Sequence, residues 1–105
     1  MISIEFDNNK VEVSEIEKLS KAVQEIVSKA TNIKDVFVYA NSSQVKIKIA
    51  PIEIWVRMTA SKIQNLDELM DKVKTDLSLW KKESGFSHPI NLTIIPMPWK
   101  VEINI

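Results

Sequence analysis

The sequence predicts a small α/β (α+β) domain in which a β-α-β unit occurs twice. The expected product is a four-stranded sheet with two helices on one face, plus short edge strands. Three observations predict it. Two stretches carry apolar residues at helical spacing, the stretches around them alternate apolar and polar residues, and the order of elements is the same before and after Pro51.

In the first half, Ile2, Ile4 and Phe6 alternate with Ser3 and Glu5, the period of a half-buried strand. Asp7-Asn8-Asn9 breaks it, and Val11 with Val13 leaves room for a short return strand. A helix is predicted over 14–30. Ser14 and Glu17 have the spacing of a capping box, and Ile16, Leu19, Val23, Ile26, Val27 and Ala30 share one face. Glu17–Lys21 and Glu25–Lys29 fall at i,i+4 on the wet side. Strands follow at 36–40, where Phe37 and Tyr39 have the parity opposite to Val36 and Val38, and at 44–49, where Val45, Ile47 and Ile49 alternate with lysines.

Pro51 marks a strand start, an edge or a bulge, because a central strand needs the N–H that proline lacks. The second half then predicts a strand over 52–58 and a helix from about Ile63 or Asn65 to Glu83. Asn65 and Glu68 form a cap pair, Trp80 belongs to the apolar stripe, and Gly85 is placed to end the helix in the left-handed region. Further strands are expected at 90–95 and 99–105, with Pro96-Met97-Pro98 interrupting between them. The closing segments Val45–Ile49 and Val101–Ile105 are the closest pair in the two halves. The expectation is one domain, 1–105, with repeats at about 1–50 and 51–105. Alternating apolar edge strands invite pairing with another chain, so a homo-oligomer is expected.

Composition narrows the function classes. The chain of 105 residues has no cysteine, which excludes disulfides, zinc-thiolate sites and thiol nucleophiles. Its single glycine excludes a glycine-rich phosphate loop. Fourteen basic and fourteen acidic side chains give no net charge, which argues against nucleic acid, whose binding releases counterions to an excess of cations. No apolar run approaches the roughly 20 residues that span a bilayer, and the N-terminus has no basic leader ahead of an apolar core, so a cytoplasmic protein without a membrane partner is expected. No cofactor motif is present, none is expected, and the small-molecule ligand is left open.

Two β-α-β units, each followed by a short outward strand, and the proline-led strand Ala50-Pro51-Ile52-Glu53-Ile54-Trp55-Val56 resemble the tautomerase superfamily. This is the group of macrophage migration inhibitory factor and 4-oxalocrotonate tautomerase, and the likeness is to a little-characterised branch of small proteins. It extends over nearly the whole chain. The resemblance implies a homotrimer with its sheets facing a central axis. It also implies a catalytic amino-terminal proline, exposed when the initiator methionine is removed. This sequence has Ile2 where that proline would stand, and methionine is not normally removed before a bulky residue. Pro51 holds the matching place in the second half, but its amide nitrogen has no basic lone pair. The resemblance therefore implies a tautomerase-like oligomer without proline-dependent activity, and it carries over no catalytic residue.

Four residues are candidates for a pocket or subunit interface. Arg57, the only arginine, suits a carboxylate, with a surface or inter-subunit ion pair as the ordinary alternative. Trp55 and Trp99 fit a subunit interface or a pocket wall. Glu53 is a candidate general base, with a solvated carboxylate as the plainer reading. His88 has no second histidine and no nucleophile motif beside it, and reads as a loop residue. Two other functions fit the element order: a ferredoxin-like βαββαβ module binding a ligand or RNA, and an enol–keto tautomerase using the Met1 amine or Glu53.

Overall fold

The computed structural model describes residues 1–105. Its elements are β1 (Ile2–Phe6), α1 (Val13–Thr31), β2 (Val38–Asn41), β3 (Ile52–Thr59), a 3₁₀ turn (Ala60–Lys62), α2 (Leu66–Ser84) and β4 (Asn91–Met97). The sheet runs in the order β2-β1-β3-β4. β1 pairs parallel with β2, and β3 parallel with β4, so each helix is the crossover of a β-α-β unit. The units meet at the antiparallel seam of β1 and β3, where Ile4 lies opposite Ile54. Reciprocal bonds close the seam: the Arg57 amide donates to the Met1 carbonyl at 2.9 Å, and the Asp7 amide to the Pro51 carbonyl at 3.0 Å. Direct parallel pairing of β1 with β2 excludes the ferredoxin-like alternative, which needs a strand between them.

The period-two pattern determines which face is covered. Ile2, Ile4, Phe6, Ile52, Ile54, Val56 and Met58 are buried beneath the helices, against Ile16, Leu19, Val23 and Val27 of α1 and Val73 and Leu77 of α2. The intervening Ser3, Glu5, Glu53, Trp55 and Arg57 occupy the other face and are half-buried or exposed. Trp80 sits at the rim of this core, its ring 5.2 Å from that of Phe86. α2 begins and ends as the sequence predicts: Asn65 Oδ1 accepts from the Glu68 amide at 3.0 Å. Gly85 has φ 73°, and the Phe86 amide donates back to the Lys81 carbonyl at 3.1 Å.

Several local expectations are corrected. No return strand forms at Val11–Val13. The Asp7 carbonyl accepts from the amides of Lys10 (3.0 Å) and Val11 (2.9 Å), and Asp7 Oδ1 from that of Asn9 (3.0 Å), which uses the donors a hairpin ladder would need. The helix therefore starts at Val13, with Glu12 at its N-cap and no side-chain cap, and Ser14 falls inside it. The i,i+4 pairs of α1 do not close, because the only ion pair joins His88 to Glu15. An exposed pair gains little against the entropy of holding two long side chains. β4 continues through Pro96, opposite Met58, since an edge strand tolerates a missing N–H. The segments 44–49 and 99–105, expected as strands, have no ladder. A strand needs a bonded neighbour, and no backbone bond joins either segment to the open edges of β2 or β4. Val45, Ile47, Val101 and Ile105 stand exposed.

Candidate functional site

The start of β1, the end of β3 and the C-terminal turn of α1 converge on a cleft of about 670 Å³. Parallel pairing brings them together: Ile2 lies between Val38 and Val56, so the first residue of the chain sits beside Arg57 and the residues leading into β2. The walls are mainly apolar, with Val36, Phe37, Tyr39 and Met58 on the body of the domain and Trp99, Val101 and Ile103 from the C-terminal segment. Arg57 and Lys62 bring positive charge to the lining and Asp35 a carboxylate.

Arg57 is fixed by three neighbours. Its Nη1 donates to Ser3 Oγ at 3.2 Å, its guanidinium lies 5.7 Å from the centroid of the Trp55 ring, and its carbonyl accepts from the Met1 ammonium at 2.7 Å. The stacking on tryptophan is a cation–π contact, which leaves the planar fork oriented. No carboxylate of the chain pairs with it, so the ion-pair reading has no intrachain partner. The Met1 amine has a pKa below its ordinary 8.0, first because burial removes water from the ammonium and then because Arg57 repels it. Two cationic groups beside an apolar wall suit an organic anion.

Of the four sequence candidates, the structure brings three into one neighbourhood. Arg57 and Trp99 line the cleft, and Trp55 supports Arg57 from the open face of the sheet. Glu53 lies apart: four residues along an extended strand separate it from Arg57 by about 13 Å. It accepts from Asn91 Nδ2 at 2.8 Å and stands opposite Glu5 across the seam. His88 is also remote. It pairs with Glu15, its ring meets Phe86 edge-on at 5.3 Å, and its carbonyl accepts from Lys81 Nζ at 2.6 Å, so it ties the loop before β4 to α1. Sequence reasoning missed Phe37, Tyr39 and Lys62 as cleft residues. The parity of Phe37 and Tyr39, opposite to the core-facing valines, was the available signal. No three potential metal ligands cluster, and no helix is long and apolar enough to cross a membrane.

This arrangement of elements is the fold of the tautomerase superfamily. A solved malonate semialdehyde decarboxylase superimposes with a TM-score of 0.70 at 9% identity, over 100% of this chain and 92% of its own. A fused 4-OT asymmetric trimer gives 0.64 at 11% identity, over 95% and 90%. Macrophage migration inhibitory factor of Toxoplasma gondii gives 0.60 at 16% identity, over 98% and 96%. No family model matches the sequence, and no curated protein matches it significantly.

Proposed function

We propose that this chain is a tautomerase-fold protein, a cytoplasmic homotrimer, that binds a small organic anion and has no proline-dependent tautomerase activity. The observation that carries the reading is the only arginine of the chain, held without a carboxylate partner at the edge of an apolar cleft. On this reading residues 1–105 form one domain of two repeats, about 1–50 and 51–105; the reciprocal Met1–Arg57 and Pro51–Asp7 bonds support the repeat. The exposed alternating segments at 44–49 and 99–105 support assembly, and two structural neighbours are fused 4-OT trimers. With Ile2 following Met1, the chain has no proline at the position the mechanism requires.

Light scattering is expected to give about three times the 12.0 kDa chain mass. Arylpyruvates are expected to bind wild type but not Arg57→Ala, with no ketonisation of their enols above the buffer rate. A monomer at micromolar concentration sinks the assembly, and binding that ignores Arg57 sinks the site.

A second reading, enol–keto catalysis by the Met1 amine, draws on its lowered pKa and its place beside Arg57. Turnover in the same assay that is lost on acetylating the amine would establish it. Turnover lost only in Glu53→Gln would instead assign the base to Glu53, far from the cleft.

A further inference from the structure

The outward surface of α1 and α2 carries a groove separate from the anion cleft. It is lined by four residues of each helix, and within each set the spacing is i, i+3, i+4, i+7. Ala22, Ile26, Leu79 and Trp80 form its apolar part. Leu79 lies outside the stripe that faces the sheet: it is 53% exposed, whereas Leu77 is buried. The charged part is one-sided, with Glu25, Asp76 and Glu83 against Lys29. The chain as a whole has no net charge, so the excess of carboxylates is a property of this surface. None of these four charges is in an ion pair, since the only one in the chain joins His88 to Glu15. No residue of the groove belongs to 43–50, to 98–105 or to the anion cleft.

Three features define what can lie there. The first is size: about 280 Å³ falls below the range of small-molecule sites, so the groove suits side chains carried by a larger body. The second is the backbone. Both helices bond their donors and acceptors internally, so the groove offers no ladder, and a guest must satisfy its own backbone groups. A helix does so and an extended peptide does not; rows of side chains at this spacing also pack against a further helix. The third is charge. Surplus carboxylates favour lysine and arginine on the guest and oppose a second copy of the same surface, where like charges would meet.

We propose that the groove between α1 and α2 docks a basic amphipathic helix of another protein. Its apolar stripe rests on Ile26, Leu79 and Trp80, and its lysines or arginines lie beside Glu25, Asp76 and Glu83. The surface is independent of the anion site, so either reading can fail without the other.

Titration of the isotope-labelled full chain with a synthetic peptide, read by amide chemical shifts, tests it. The probe is about 15 residues long, enough to form a helix when bound, with leucine at every third or fourth position and lysine elsewhere. One control peptide has the same composition in scrambled order, and another has glutamate in place of lysine. Shifts are expected at 22–29 and 76–83, and not along β1 or β3. Leu79→Ala is expected to weaken binding about tenfold, because docking buries the exposed half of the side chain. Asp76→Asn with Glu83→Gln is expected to weaken it about fivefold and to flatten its salt dependence. These side chains are exposed or half-buried, and the variants are expected to keep the wild-type circular dichroism.

No shift at millimolar peptide, equal binding by either control peptide, or wild-type affinity in Leu79→Ala overturns the proposal. So does self-association without peptide that Leu79→Lys abolishes in sedimentation velocity, since the groove would then belong to a second copy.

Discussion

Ile47→Ala isolates what the exposed segments do. Within the single chain Ile47 is 96% exposed, so its truncation removes no intrachain packing, and the folding free energy of a lone subunit is expected to change by less than about 0.5 kcal/mol. In the proposed trimer the same side chain is covered by a neighbour. At about 0.8 kcal/mol per buried carbon, losing three carbons weakens assembly by about 2.4 kcal/mol per copy and about 7 kcal/mol per trimer. That is about five powers of ten in the trimer dissociation constant. Sedimentation velocity over a dilution series reads the assembly directly. The melting temperature supplies a second measure, because it depends on chain concentration when folding and assembly are linked. Wild-type association in the variant would refute the reasoning, since it would leave Ile47 uncovered in the oligomer. A variant destabilised by a full kilocalorie or more as a lone subunit would refute it too, by placing Ile47 in its own core.

Four further outcomes follow from the fold. Ile4→Ala, which removes a fully buried side chain at the middle of the β1–β3 seam, is expected to cost about 2–5 kcal/mol in urea unfolding. Gly85→Ala is expected to cost about 1–2 kcal/mol, because alanine is strained at φ 73° even though no atom lies within 4 Å of the added carbon; a lowered melting temperature with an unchanged denaturant slope is the signature. The Met1 amine binds its proton more weakly in the folded chain, so the unfolded chain carries more protons between the lowered pKa and 8.0. Stability is expected to rise with pH across that window and to level off above it. Acetylation of Met1 is likewise expected to outpace that of exposed lysines at neutral pH, with the advantage reduced in Arg57→Gln.

What the sequence made legible was what depends on a residue's own neighbours along the chain. The alternation at Ile2–Phe6 and Ile52–Met58, the α2 cap at Asn65 and the left-handed Gly85 are of this kind. Arg57 was legible because it has no equal in the composition. Features settled by distant partners were not. The Ser14-Glu17 spacing matches a capping box, but the Asp7 turn delivers the chain to the helix earlier. Val45–Ile49 and Val101–Ile105 alternate like strands, yet alternation specifies a face and not a ladder, and the ladder requires an acceptor edge. Glu53 shares a strand and a face with Arg57, and only the extended rise between them separates the two chemically. The cleft walls at Phe37 and Tyr39 depend on the β1–β2 register, which no local pattern encodes.

The seam between β1 and β3 also bears on how the chain can be divided. Residues 43–50 make no hydrogen bond and carry no element, whereas everything that joins the two β-α-β units is lateral: a backbone ladder and the packing of α1 on α2. The covalent link is therefore a tether that raises local concentration, not a member of the framework. Two peptides made by opening the backbone there should find each other and complement, with an association constant that measures the seam itself.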